Sequence, residues 1–208
     1  MFTLKNNSVI CFMGDSVTDC GRDYRDIGDL GQSYVKKIQS YLSTFHAGLN
    51  VKLINKGING NRVCDLQKRW DADCLSFEPD VVTILIGINE TWRRFDGGGT
   101  TDVQVFEAGY RDILRKTQLT GAEIIILEPF VLPFPQDRLA WRADLDPRIQ
   151  SVRKLAREFH ATFIPLDGIF ASLITQSLPE TYALDGVHPT DAGHTVIARE
   201  WLGAANLL

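Results

Sequence analysis

The sequence lacks several features that would place it in a specialised class of protein. Its four cysteines show no CxxC spacing, which fits free thiols in a reducing compartment but leaves a bond between two of them open. Lysine and arginine number 22 against 26 acidic residues, so no basic surface is expected for nucleic acid or an anionic membrane. These shortages indicate an ordinary globular protein with neither partner.

Long apolar runs are also missing. The first apolar stretch, Val9–Met13, is much shorter than the roughly 7–15 residues of a secretion signal, and no stretch approaches the ~18 residues of a membrane span. We therefore expect a cytoplasmic protein. The 208 residues suit one domain, and the 44% of hydrophobic residues can fill its core without disulfides or structural metal. The predicted domain covers residues 1–208.

Short apolar runs, mostly β-branched, alternate with amphipathic stretches along the whole chain. The predicted strands are Ser8–Met13, Val51–Asn55, Val81–Ile86, Ile124–Leu127 and Thr162–Ile164. The predicted helices are Gln32–Phe45, Val63–Leu75, Val103–Leu119, Pro147–His160 and Asp191–Leu202, the last capped by Thr190 or Asp191. Strands that are apolar on both faces suit a parallel sheet covered on both sides. The pattern predicts a three-layer α/β/α domain with a doubly wound, five-stranded parallel sheet.

Polar motifs follow the first three predicted strands, where the ligands of such a sheet bind. They are Gly14-Asp15-Ser16, the glycine-rich stretch 55–60, and Gly87-Ile88-Asn89. Acyl transfer uses these residue types, because a serine is the nucleophile and an oxyanion needs backbone and amide donors. Each motif has a plainer interpretation: the first two as turns, and Asn89 as a helix cap.

The stretch Leu184–His194 holds two of the four histidines and two aspartates. His188 could supply the base that a serine nucleophile requires, and Asp185 could supply the acid that orients this base. Alternatively, Asp185, His188, Asp191 and His194 could together bind a metal ion. The helix predicted to start at Asp191 would turn Asp191 and His194 onto its surface, and a metal site would leave Ser16, Gly60 and Asn89 without a role. The serine interpretation is therefore preferred, with no cofactor and no metal.

These motifs resemble those of the SGNH, or GDSL-type, hydrolases, and the resemblance covers nearly the whole chain. It implies a flavodoxin-like sheet and a Ser-His-Asp esterase. Matched residue by residue, it makes Ser16 the nucleophile, His188 the base and Asp185 its orienting acid. The Ser16 N–H, the Gly60 N–H and the Asn89 amide would form the oxyanion hole.

Within that superfamily the motifs are similar to those of intracellular bacterial acetylxylan esterases, which deacetylate xylo-oligosaccharides and form homo-oligomers. Val17 stands where the family name has leucine, and Glu90 stands where aspartate is common, which loosens only the subfamily match. The resemblance implies a small ester substrate, an acetylated sugar, and a homo-oligomeric state. Asp15 is expected to hold the loops around Ser16, and Trp92 to stack on a sugar or pack against a neighbour.

Three other functions stay open at this point. A lipid-ester hydrolase or thioesterase would need an apolar groove, which the proline- and aromatic-rich segment 128–141 could build. A metal-dependent hydrolase would use the histidine cluster. A non-enzymatic phosphate-binding module is disfavoured because neither GxGxxG nor a Walker A motif is present.

Overall fold

Apolar residues fill five strands of one sheet, as the sequence predicts. The computed structural model describes residues 3–208. Its strands are β1 (Val9–Gly14), β2 (Lys52–Gly57), β3 (Val81–Leu85), β4 (Glu123–Leu127) and β5 (Thr162–Ile164). All neighbouring strands are parallel, and their spatial order is β2-β1-β3-β4-β5. This is the flavodoxin-like doubly wound order, so the predicted fold is confirmed.

Helices cover the sheet on both faces. Within residues 3–208 they are α1 (Ser16–Asp19), α2 (Tyr34–Phe45), α3 (Val63–Asp73), α4 (Ile88–Phe95), α5 (Val103–Thr120), α6 (Arg142–Glu158), α7 (Leu166–Leu173) and α8 (Asp191–Ala204). None of them has the length and apolar character that crossing a bilayer requires. The sequence pattern does not predict α1, α4 or α7, and it places the start of α6 at Pro147, which lies inside that helix.

Each face of the sheet has its own core, because successive side chains of a strand point to opposite faces. In β1, Ile10 and Phe12 pack with α2, α7 and α8, and Phe12 contacts the ring of Trp201. Cys11 and Met13 pack on the other face with α3, α5 and α6. The strands are therefore buried on both sides, which fixes the positions of their carboxyl ends.

The carboxyl ends of β1, β2 and β3 lie side by side. Gly14 at the end of β1 is paired with Gly57 of β2 and with Leu85 of β3. The polar motifs that follow these three strands consequently start at one rim of the sheet. Helix α8 packs beside α2 on one face, and this packing brings the loop before α8 to the same rim.

Candidate active site

Three side chains form a continuous hydrogen-bonded chain at this rim. Ser16 Oγ lies 2.9 Å from His188 Nε2, and His188 Nδ1 lies 2.6 Å from Asp185 Oδ2. Ser16 is the first residue of α1, whereas Asp185 and His188 lie in the loop before α8. The structure thus joins residues that are 172 positions apart in the sequence. Serine, imidazole and carboxylate in this order are the parts that activate a serine for nucleophilic attack.

Asp185 and His188 shift each other's pKa in opposite directions. Burial by itself would raise the pKa of Asp185, but hydrogen bonds from the His188 ring and from the His188 and Val187 N–H groups lower it to about 2. The same hydrogen bond raises the pKa of His188 above its ordinary value. Because the carboxylate is ionised at neutral pH, Nδ1 carries the hydrogen and Nε2 presents its lone pair to Ser16.

Asp15 lies directly behind Ser16 and caps α1. Its Oδ1 accepts a hydrogen bond of 3.0 Å from the Val17 N–H, and its side chain is buried. Burial raises the pKa of Asp15 to about 7, and the nearby Glu90 carboxylate adds to this rise, while the Val17 N–H opposes it. The cap holds the short helix that carries Ser16, so Asp15 lies where the sequence predicts a supporting residue.

Gly60 and Asn89 lie on the neighbouring strand ends. Gly60 has a φ of +76°, a left-handed conformation that suits glycine and directs the turn after β2. Asn89 lies in the first turn of α4, whose N-cap is Gly87, so Asn89 is not the cap. Its Nδ2 donates to the Asn61 carbonyl at 3.0 Å, which orients the amide. The amide nitrogen has two hydrogens, and the second could donate to an oxyanion.

Glu90 connects α4 to the start of α3, a role that the sequence did not predict. Its Oε1 accepts a 2.7 Å hydrogen bond from the Val63 N–H at the start of α3. The side chain is buried, and burial raises its pKa to about 7. An acidic residue directly after Asn89, close to the end of a buried strand, is the signal that could have identified it.

A groove of about 370 Å³ lies against Trp92, and aromatic and charged side chains line it. Trp92 is half-buried, with its ring centroid 5.6 Å from His188 and 5.2 Å from Trp141. The Arg138 guanidinium lies 5.3 Å from the centre of the Trp92 ring. Trp92 therefore packs within the site, between the base and the segment before α6.

The four acidic and imidazole side chains of 184–194 do not converge. Asp191 is exposed and pairs with Lys37. His194 is buried, contrary to the expectation that α8 would turn it outward, and its Nδ1 accepts from the Tyr34 N–H at 3.2 Å. In the described part of the chain, no group of three or more His, Cys, Asp or Glu side chains is arranged to hold a metal ion.

His194 also lies beside a cysteine, which the sequence analysis did not foresee. Its Nε2 is 3.5 Å from Cys20 Sγ. Because Nδ1 accepts a backbone hydrogen bond, the neutral ring carries its hydrogen on Nε2 and cannot take the thiol proton. Burial raises the pKa of the Cys20 thiol, and Asp19 adds to this rise. The pair is therefore not an activated nucleophile.

Comparison with known proteins assigns the class of protein that the fold and site define. The sequence profile of the GDSL-like lipase/acylhydrolase family matches residues 12–196. The chain belongs to this family and is a carboxylic ester hydrolase with the SGNH hydrolase fold.

Its relatives include an acetylxylan esterase from Geobacillus stearothermophilus, 33% identical over 201 residues that span 93% of this chain and 91% of that protein. A putative GDSL-like lipase from Parabacteroides merdae has a TM-score of 0.94 and 35% identity, with 100% and 99% of the two chains covered. The crystal structure of the Geobacillus esterase itself gives a TM-score of 0.90, with 98% and 96% covered. Catalytic mutants of that esterase carry alanine in place of a serine, an aspartate or a histidine.

Proposed function

We propose that this protein is a serine esterase that removes acetyl groups from carbohydrates. Ser16 is the nucleophile, His188 the general base and Asp185 the acid that orients the base. The observation that carries the proposal is the hydrogen-bonded chain from Asp185 through His188 to Ser16, at 2.6 and 2.9 Å. The three residue types replaced in the catalytic mutants of the Geobacillus esterase are the same three.

The reaction takes two steps. In the first, Ser16 Oγ attacks the ester carbonyl carbon while His188 Nε2 accepts the serine proton. The carbon–oxygen bond to the alcohol breaks, and the alcohol leaves with the proton from His188. In the second step, water loses a proton to His188 and attacks the acyl-Ser16, which releases the acid and restores the serine.

Donors at the strand ends stabilise the negative oxygen that forms in both steps. The Ser16 N–H, the Gly60 N–H and the Asn89 amide are the proposed donors. Support comes from the shared rim of β1, β2 and β3 and from the hydrogen bond that orients Asn89 on Asn61. Donors that are oriented in advance lose little free energy through reorganisation during the reaction.

The relatives and the groove support the proposed substrate. A protein 33% identical to this chain is an acetylxylan esterase. Trp92, whose ring centroid lies 5.6 Å from that of His188, forms one wall of the groove. The other lining residues include Phe95, Asp96, Asp137 and Arg138, and such aromatic and charged groups suit a sugar alcohol. We assign the alcohol side of the substrate to this groove, and we assign a small acyl group, acetyl, to the side of the nucleophile.

Replacement of the nucleophile tests the mechanism. Ser16→Ala should lower kcat by on the order of 10⁶ and leave the circular dichroism spectrum unchanged. Ser40→Ala, an exposed serine of α2, is the matched control and should keep the wild-type rate. If Ser16→Ala retained a tenth of the wild-type activity, the serine mechanism would be wrong.

A panel of p-nitrophenyl esters, measured beside peracetylated xylose and xylobiose, tests the substrate. Each added methylene should cost roughly 10- to 200-fold in kcat/KM if the acyl pocket accepts only acetyl. We expect the rate to fall steeply from acetate to butyrate and to vanish at octanoate. An optimum at octanoate would instead identify a lipid esterase of the same family.

A further inference from the structure

The segment between β4 and α6 contains an arginine that reaches the loop of the proposed base. Arg138 Nε donates to the backbone carbonyl of Asp185 at 2.9 Å. Its guanidinium lies 4.1 Å from the centre of the Trp141 ring and 5.3 Å from that of Trp92. Asp137 pairs with it at 2.8 Å, and only 13% of the Arg138 side chain is exposed. A long side chain held by this many partners has a fixed position.

The same segment also contacts the Asp185–His188 loop through backbone atoms. The Gly186 carbonyl accepts a 2.8 Å hydrogen bond from the Leu132 N–H. Gly186 has a φ of +81°, and a Cβ there would lie 2.2 Å from the Phe134 carbonyl oxygen, so only glycine fits. The loop from Asp185 to His188 is therefore packed directly onto the segment that carries Arg138.

We propose that Arg138 is a positioning residue for the Asp185–His188 pair, acting through the Asp185 backbone and the Trp92 ring. This inference rests on the function proposed above. One route is the hydrogen bond to the Asp185 carbonyl, which fixes the residue that orients the base. The other is the stack on Trp92, whose ring contacts the His188 imidazole. Displacement of a catalytic group by about 1 Å can cost on the order of 100-fold in rate, so such support matters.

Arg138 also contributes a charge that His188 senses. The hydrogen bond and charge of Asp185 raise the pKa of His188, and the charge of Asp15 adds to that rise. Arg138 acts in the opposite direction and lowers this pKa. The contacts of Arg138 should therefore affect kcat, whereas its charge should affect the pH profile.

Two substitutions separate these effects. Arg138→Lys keeps the positive charge but loses the planar fork that stacks on tryptophan while it donates to a carbonyl. Arg138→Met keeps an apolar stem and loses both. We expect both variants to lower kcat by about 10- to 100-fold. Because Arg138 also lines the groove proposed for the sugar, KM should rise as well, so kcat and the acid limb carry the test. The acid limb of kcat/KM should move to higher pH in Arg138→Met and stay near the wild-type position in Arg138→Lys.

Arg142, the first residue of α6, provides the matched control. Its ion pairs are with Asp167 and Asp146, and not with the Asp185–His188 loop. Arg142→Met and Arg142→Lys should keep the wild-type kcat and the wild-type acid limb. The rate at which a fluorophosphonate modifies Ser16 gives a readout of nucleophile activation without the natural substrate, and it should fall in parallel with kcat for the Arg138 variants only.

The inference is overturned if Arg138→Met matches Arg142→Met in kcat, acid limb and fluorophosphonate rate. A rise in KM with a wild-type kcat and a wild-type fluorophosphonate rate would limit Arg138 to the substrate groove, which also contradicts the inference. If Arg138→Met shows a lost near-ultraviolet dichroism signal, Arg138→Lys decides, and a wild-type kcat there overturns the inference. Fluorophosphonate labelling that persists in Ser16→Ala would refute the proposed function itself, which keeps the two failures distinct.

Discussion

His188 and His194 lie six positions apart in the stretch 184–194, yet the structure places them in opposite environments. The first lies in a loop, partly exposed, with its Nδ1 against the Asp185 carboxylate. The second lies inside α8, 4% exposed, with its Nδ1 facing the Tyr34 N–H. The partner of Nδ1 is thus an acceptor in one case and a donor in the other.

That difference fixes opposite tautomers. A neutral His188 carries its hydrogen on Nδ1, and its free lone pair on Nε2 faces Ser16. A neutral His194 carries its hydrogen on Nε2, where it faces the thiol of Cys20. The hydrogen bond to Asp185 raises the pKa of the first ring, whereas burial lowers the pKa of the second to about 4. Two identical side chains in one motif can therefore serve as a base and as a structural group, because the beginning of α8 separates them.

The largest effect should appear when each of the two histidines is replaced separately. His188→Ala should lower kcat by on the order of 10⁶, as loss of the base in a serine triad does. His194→Asn keeps an acceptor where Nδ1 lies and should retain at least a tenth of the wild-type rate. Steady-state kinetics on p-nitrophenyl acetate measures both. Equal losses of kcat in the two variants would show that both histidines are needed for catalysis, and would favour the metal interpretation instead.

The orienting acid should have the next largest effect. Asp185→Asn can donate to Nδ1 and so favours the wrong tautomer, which should cost about 10⁴ in kcat. The acid limb of the remaining activity should move to lower pH, because the hydrogen bond that raises the pKa of His188 is weakened. Asp191→Asn, at an exposed carboxylate that pairs with half-buried Lys37, is the control. A normal rate in Asp185→Asn would contradict the proposed role of the acid.

Sequence predicted the fold well, because the strands are short, largely apolar runs and the helices between them have one apolar face. The missed helices α1, α4 and α7 have four to eight residues, too few for a periodic pattern to emerge. The start of α6 was misplaced because Pro147 is typical of a first helical turn, whereas here it lies five residues past the beginning at Arg142.

Within the site, sequence predicted the residues that the three strand ends and the 184–194 stretch contain. It did not predict Arg138, whose contact with Asp185 spans 47 positions and belongs to no motif. The burial of His194 was missed for a related reason, since α8 packs against the start of α2 from a distance of 160 positions. Contacts of this kind depend on how helices pack on the sheet, and a single sequence does not show them.

Replacement of Asn89 tests the proposed oxyanion hole, to which neither histidine contributes. Asn89→Ala should lower kcat by roughly 10²–10³ with a smaller change in KM, because the amide acts mainly in the transition state. Asn59→Ala, an exposed asparagine in the neighbouring turn, is the matched control and should keep the wild-type rate. A change confined to KM would make Asn89 a ground-state contact rather than an oxyanion donor.

The smallest effect concerns stability, and it sharpens the contrast between the two rings. The pKa of His194 lies near 4 in the folded protein, below its ordinary value of 6.5, because burial disfavours the charged ring. The unfolded chain therefore binds a proton first as the pH falls. The stability that neutral His194 contributes should be complete above about pH 6.5 and should decline toward pH 4, by up to about 3 kcal/mol.

Denaturant unfolding at several pH values between 8 and 4.5 measures this decline as the difference between wild type and His194→Asn. The wild type should be the more stable at pH 8, and the difference should shrink as the pH falls, because asparagine does not titrate. His160→Asn, at an exposed histidine, controls for the substitution itself. If the difference stayed constant from pH 8 to pH 4.5, burial would not be holding His194 neutral, and the two histidines would differ in partners but not in charge.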